Sequence, residues 1–155
     1  MNSGLRSLIE NFFNKGVGIM KVQINKYLRN IGINEKNYWV IAEDHGNDSR
    51  YKEDEEGFIN AETWNLSTTL AMINYSYLCY FREHCMYAYP SNLTFEKWQE
   101  YIDKMIKAFE LILKRDYYWD SSKSNEENIR VSKNVSKQIK FGLNLFVKYF
   151  EDLWW

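Results

Sequence analysis

The chain has 155 residues and 45% apolar side chains, enough to bury a core as one domain over 1–155 and too apolar for a disordered tail. A net charge of -1 and a pI near 6.2 leave no electrostatic footprint over the whole chain, so no DNA or RNA partner is expected. No apolar run approaches the roughly 18 residues of a membrane span, and the opening MNSGLRSLIENFF lacks the apolar core and cleavage site of a signal peptide. The expectation is an intracellular protein with no membrane partner and with Cys79 and Cys85 as free thiols.

Residues 1–60 read as an N-terminal segment. Leu5, Leu8, Ile9, Phe12 and Phe13 have the spacing of a short amphipathic helix that Gly16 and Gly18 break. A second helix is expected from about Ile19 to Asn30, with Gly32 as its C-terminal stop. Tyr38, Trp39, Val40 and Ile41 form a short apolar patch, strand or packed loop. The stretch 43–57, EDHGNDSRYKEDEEG, is polar and acidic and reads as an exposed loop.

Residues 61–155 read as the helical core. Asn60 suits a cap, and Leu66, Leu70, Ile73, Tyr77 and Phe81 form an apolar stripe on a helix that must end before Pro90. The next helix, 93–113, has the cleanest pattern in the chain. Trp98, Ile102, Met105, Phe109 and Ile112 recur at steps of four and three, Thr94 suits the cap, and Leu93 with Trp98 has staple spacing. Tyr117, Tyr118 and Trp119 read as an aromatic anchor, followed by a mobile Ser/Lys/Asn loop. Ser124 and Glu127 form a capping box that opens a last helix with the stripe Val131, Val135, Ile139, Leu143, Phe146, Phe150 and Leu153. Gly142 inside that helix implies a close helix crossing, and at least one of Trp154 and Trp155 should be buried. The expected fold is all-α, an antiparallel bundle of three long helices plus shorter N-terminal helical segments.

Chemistry is sparse. There is no P-loop, GxGxxG, HExxH, GxSxG or CxxC, and neither His45 nor His84 sits in a triad pattern. Cys79, His84 and Cys85 do not make a metal motif alone, and the acidic loop lacks EF-hand register. No catalytic residue, metal or cofactor is expected, and the chain reads as a non-enzyme. What remains is a binding surface. Aromatic residues make up 17% of the chain and serve either as core or as a stacking platform. Trp64, Asn65, Thr68 and Thr69 on one helix, Asp103, Lys104 and Lys107 on another, and Lys148 and Tyr149 on the last could converge on an anionic planar ligand such as a nucleotide. The plainer reading is that the Thr and Asn residues cap helices and the lysines are solvated.

Three segments resemble a known group. These are Thr63-Trp64-Asn65-Leu66 with Thr69-Leu70-Ala71; Tyr89-Pro90 through Asp103-Lys104-Met105-Ile106 and Ala108-Phe109-Glu110; and Gly142-Leu143 through Lys148-Tyr149-Phe150 and Leu153-Trp154. Together they resemble a widespread family of small uncharacterised proteins of tailed bacteriophages and prophages, over roughly 61–155. Ser67 stands where that family usually has an acidic residue, and Glu62 where it often has aspartate. The resemblance implies a viral origin and the cytoplasm of the infected bacterial host. By analogy with other small phage proteins, the expected function is to counteract host defence by sequestering a nucleotide-derived signal, in a homo-oligomer. The alternative is a protein-protein inhibitor or adaptor that acts on a host or phage protein through an aromatic surface.

Overall fold

The computed structural model describes residues 24–34, 50, 55, 59–84, 88–114 and 119–154. Five α-helices are present among them: α1 (Lys26–Asn30), α2 (Asn60–Trp64), α3 (Leu66–His84), α4 (Phe95–Leu113) and α5 (Asn125–Lys148), followed by a 3₁₀ turn at Phe150–Asp152. The expected helical bundle is therefore observed. The expected helix at Leu5–Phe13, the Tyr38–Ile41 patch and the acidic loop 43–57, apart from Arg50 and Glu55, lie outside the described residues.

Side chains set most of the helix starts. Thr94 accepts the Lys97 N–H at 3.2 Å and opens α4, with Glu96 in the first turn where its charge suits the helix dipole. Ser124 and Glu127 make both bonds of the capping box at the start of α5. Asn25 accepts the N–H groups of Tyr27 and Leu28, so α1 starts at Lys26 rather than near Ile19. Gly32, at φ +88°, ends it as expected. Its N–H bonds the Arg29 carbonyl and the Ile33 N–H bonds the Leu28 carbonyl, the paired pattern of a Schellman stop.

Asn60 does not cap. Ile59 holds the cap position of α2 without a side-chain bond, and the chain breaks helix again at Asn65, which separates α2 from α3. The Asn65 carbonyl accepts from the Thr68 and Thr69 N–H groups, and its side-chain oxygen accepts from the Thr68 hydroxyl at 3.0 Å. The Thr69 hydroxyl donates to the Glu62 carbonyl.

Helix α4 is the centre. It packs extensively on both α3 and α5, which have no comparable contact with each other. Trp98, Ile102 and Met105 are fully buried and Phe109 nearly so, as the stripe predicts. Burying a side chain such as Ile102 or Met105 contributes about 1.5–3 kcal/mol. Gln99, Ala108 and Leu111 are buried too, because α4 is covered on more than one side.

Both neighbours run antiparallel to α4. On one flank Arg82 meets Asp103, while Tyr75, earlier on α3, lies near Glu110, later on α4. On the other flank Tyr149 meets Trp98 and Tyr101, with ring centroids 5.6 and 5.5 Å apart, while Gly142 lies against Lys104 and Ala108. A Cβ built on Gly142 would sit 2.5 Å from the Ala108 Cβ and closer still to the Lys104 carbonyl oxygen. The close crossing implied by this glycine is thus present. Leu145 and Tyr149 are buried with it, whereas Phe150, expected in the stripe, is exposed. Trp154 is exposed as well, and Trp155 lies outside the described residues.

The connection into α5 is tied down, not loose. Asn128 is 1% exposed. Its side-chain oxygen accepts the Asp120 N–H at 3.1 Å, and its amide donates to the Asp120 carbonyl at 2.9 Å. The Asp120 carboxylate in turn accepts from the Ser122 N–H and hydroxyl. Trp119, read as an anchor, is exposed; Tyr117 and Tyr118 lie outside the described residues.

Two substitutions test this packing. Gly142→Ala should destabilise: overpacking costs about 1–3 kcal/mol, and the gain in helix propensity returns at most ~1 kcal/mol. A melting temperature at or above wild type would refute the close crossing. Asn128→Ala should cost about 1–3 kcal/mol, because it strands two backbone groups of Asp120. Urea midpoints report it, and an unchanged midpoint would mean the clamp is idle.

Candidate functional site

The nine residues singled out for ligand binding fall in three places. Asn65, Thr68 and Thr69 spend their polar groups on the α2–α3 junction, with Trp64 projecting beside them, 75% exposed. Asp103, Lys104 and Lys107 lie along α4. The Asp103 carboxylate accepts from the Arg82 guanidinium at 2.8 Å, Lys107 pairs with Glu110 at 3.0 Å, and Lys104 is exposed beside the Gly142 crossing. Lys148 and Tyr149 close α5, where Tyr149 is buried between Trp98 and Tyr101 and Lys148 lies 4.9 Å from the Tyr149 ring centroid. Thr69 precedes Arg82 by thirteen residues on α3, so it lies roughly 20 Å further toward the opposite end of α4 from Tyr149. The structure therefore does not gather these side chains into one cleft, and the plainer reading, caps and solvated lysines, describes most of them.

Several titratable groups are engaged in structure. Hydrogen bonds from Tyr27 and Lys26 to Glu83 hold its carboxyl below the usual range and pin α1 to α3. At Glu110 burial pushes the pKa up, but hydrogen bonds from Lys114 and Lys107 outweigh it and leave the group lowered. Burial raises the Tyr75 phenol and the Cys79 thiol, so Cys79 is protonated near neutral pH and unsuited to nucleophilic work. Cys79 is a free thiol, and Cys85 lies outside the described residues. The described residues hold no group of three His, Cys, Asp or Glu side chains placed for a metal, and no helix among them is long and apolar enough to cross a membrane. Two buried polar groups that sequence reasoning passed over lie on α4: neither the Trp98 indole N–H nor the Gln99 amide has a hydrogen-bond partner.

The surface that stands out is the outer face of α3. The stripe Leu66, Leu70, Ile73, Tyr77 and Phe81 was expected to meet the core. Instead Thr69, Met72 and Ser76, with Ala71, Tyr75 and Leu78, turn inward. The stripe is left outside: Leu66, Leu70 and Tyr77 are exposed, Tyr77 by 67%, while Ile73 and Phe81 are half-buried. Tyr80 extends the line and stacks on His84 with centroids 3.9 Å apart. Leu66, Leu70, Ile73, Tyr77 and Tyr80 follow steps of four, three, four and three, the spacing of a helix-helix seam. Residues 66–81 contain no charged side chain on any face.

No protein-family model matches the chain, and no curated protein or solved structure is similar to it. The reading of this surface rests on its geometry.

Acid should expose the carboxylate network. Hydrogen bonds from the Ser122 hydroxyl and N–H, then Lys123, lower the Asp120 pKa from 3.8 to about 2. A folded pKa below the unfolded one gives stability that is complete above about pH 4 and lost as pH falls through about 2. Melts across that window should show wild type losing stability more steeply than Asp120→Asn. Parallel curves would exclude this contribution.

Proposed function

We propose that this protein is a non-catalytic adaptor or inhibitor that docks an apolar α-helix of a partner protein on the outer face of α3. The observation that carries the reading is the four-three-four-three row of apolar residues on an uncharged helix face, exposed at Leu66, Leu70, Tyr77 and Tyr80 and half-buried at Ile73. A solvated helix normally carries charge opposite its core. Depletion of charge around aromatic anchors is the composition of an interface core. The seam spacing is what selects a helix as the occupant, since residues at those steps form one straight row to which a second helix can pack at a shallow angle.

Sequestration of a nucleotide draws less support, because Trp64, Asn65, Thr68 and Thr69 lie toward the opposite end of α4 from Lys148 and Tyr149. In this reading, which takes up the resemblance to phage proteins, the partner is a host or phage protein in the cytoplasm of an infected bacterium.

Photocross-linking tests the reading. Tyr77→benzoylphenylalanine in bacterial lysate should cross-link to a helical segment of one other protein, identified by mass spectrometry of the linked peptide. Adding Leu70→Glu should cut the yield at least tenfold without lowering the melting temperature, because a charge is costly only where the face is covered. Linked peptides from a second copy, with a dimer in light scattering, would reassign the seam to self-association and overturn the reading. Peptides from residues of the same chain would make the face internal and overturn it too.

A further inference from the structure

The far side of the bundle differs in chemistry. Residues 128–148 contain five basic side chains (Arg130, Lys133, Lys137, Lys140 and Lys148) and no acidic one. Asn128, Gly142, Leu145 and Tyr149 set the buried side of α5, and the first four cations, at steps of three, four and three, share the opposite side. All four are exposed, and none forms an ion pair with a described residue. An open groove of about 460 Å³ runs along the first half of this face, lined by Glu126, Ile129, Arg130, Lys133, Asn134 and Lys137. Asn144 and the exposed Phe141 continue the face beyond Lys140.

We infer that this face of α5 binds the sugar-phosphate backbone of a duplex nucleic acid. The match is one of charge and spacing. Arg130 and Lys140 are ten residues apart, about 15 Å along the helix axis. A duplex carries about one phosphate per 1.7 Å of its axis, both strands counted, so a helix of that length laid against it has several phosphates within reach of its four cations. Asn134 and Asn144 add amide donors of the kind that contact phosphate and sugar. An acidic protein surface is the weaker fit, because the exposed apolar residues of this face, Ile129 and Phe141, flank the row of cations at its two ends, whereas tight protein interfaces are centred on such anchors. The net charge of -1 hides this face by averaging it with carboxylates elsewhere and with Glu126, the one acidic residue that lines its groove. Binding is electrostatic and indifferent to base sequence, and it is independent of the apolar seam on α3.

Fluorescence anisotropy with a labelled DNA duplex of about 20 base pairs tests the inference. The expected result is a Kd in the micromolar range at low salt, with log K falling against log salt at a slope of about -3 to -4, as four released counterions require. The variant R130Q/K133Q/K137Q/K140Q should lose at least tenfold in affinity and flatten the slope to near zero. Its circular-dichroism melt should match wild type, since all four side chains are exposed. The absence of salt-sensitive binding by the wild type would overturn the inference, as would full binding by the variant. Labelled poly-glutamate bound as tightly as the duplex would reassign the face to an acidic protein partner.

Discussion

Everything in this bundle depends on how closely α4 and α5 approach one another at Gly142. The missing side chain lets one helix backbone settle onto the Lys104 carbonyl and the Ala108 methyl of the other. That closeness brings Phe146 edge-on to Phe109 at 5.2 Å and seats Tyr149 between Trp98 and Tyr101. With α5 fixed on one flank and α3 on the other, α4 is covered on both, and its aromatic and aliphatic stripe forms the core of the whole array.

Polar side chains near this core are used for structure before anything else. Asn65, Thr68 and Thr69 join two helices, Asn128 clamps the incoming loop, and Glu83 ties α1 to α3. Each satisfies a group that would otherwise cost free energy when folding removes it from water. The interior therefore has few polar groups to offer a ligand, and binding chemistry is left to the outer faces. There the charges are segregated. The outer face of α3 has apolar residues in a seam and no charge, while the outer face of α5 has cations in a row. Helix α4, which buries its stripe against both neighbours, lies between them. A protein with two such faces is suited to joining two partners of different chemistry.

Much of the helical plan was legible in the sequence. The α4 stripe, the Thr94 cap, the Ser124–Glu127 capping box, the Gly32 stop and the reason for Gly142 follow from local spacing and side-chain chemistry, which act within one or two helical turns. The candidate site was not legible in this way. Asn65, Thr68 and Thr69 looked like ligand groups because one helix was expected across the α2–α3 break, and the hydrogen bonds that use them form only at that junction. Asp103 looked available because Arg82 is distant in sequence.

The clearest division lies in α3 and α5. Sequence by itself determined that both are helices and that each has an apolar stripe, since periodicity is a property of neighbours along the chain. It also contained the cation row, visible only when charges are counted along one helical face rather than over the whole chain. Which of α3's two apolar faces turns inward was decided by tertiary structure alone. Both have helical period, and the choice depends on which side chains fit against α4, an interaction between segments that no local pattern records.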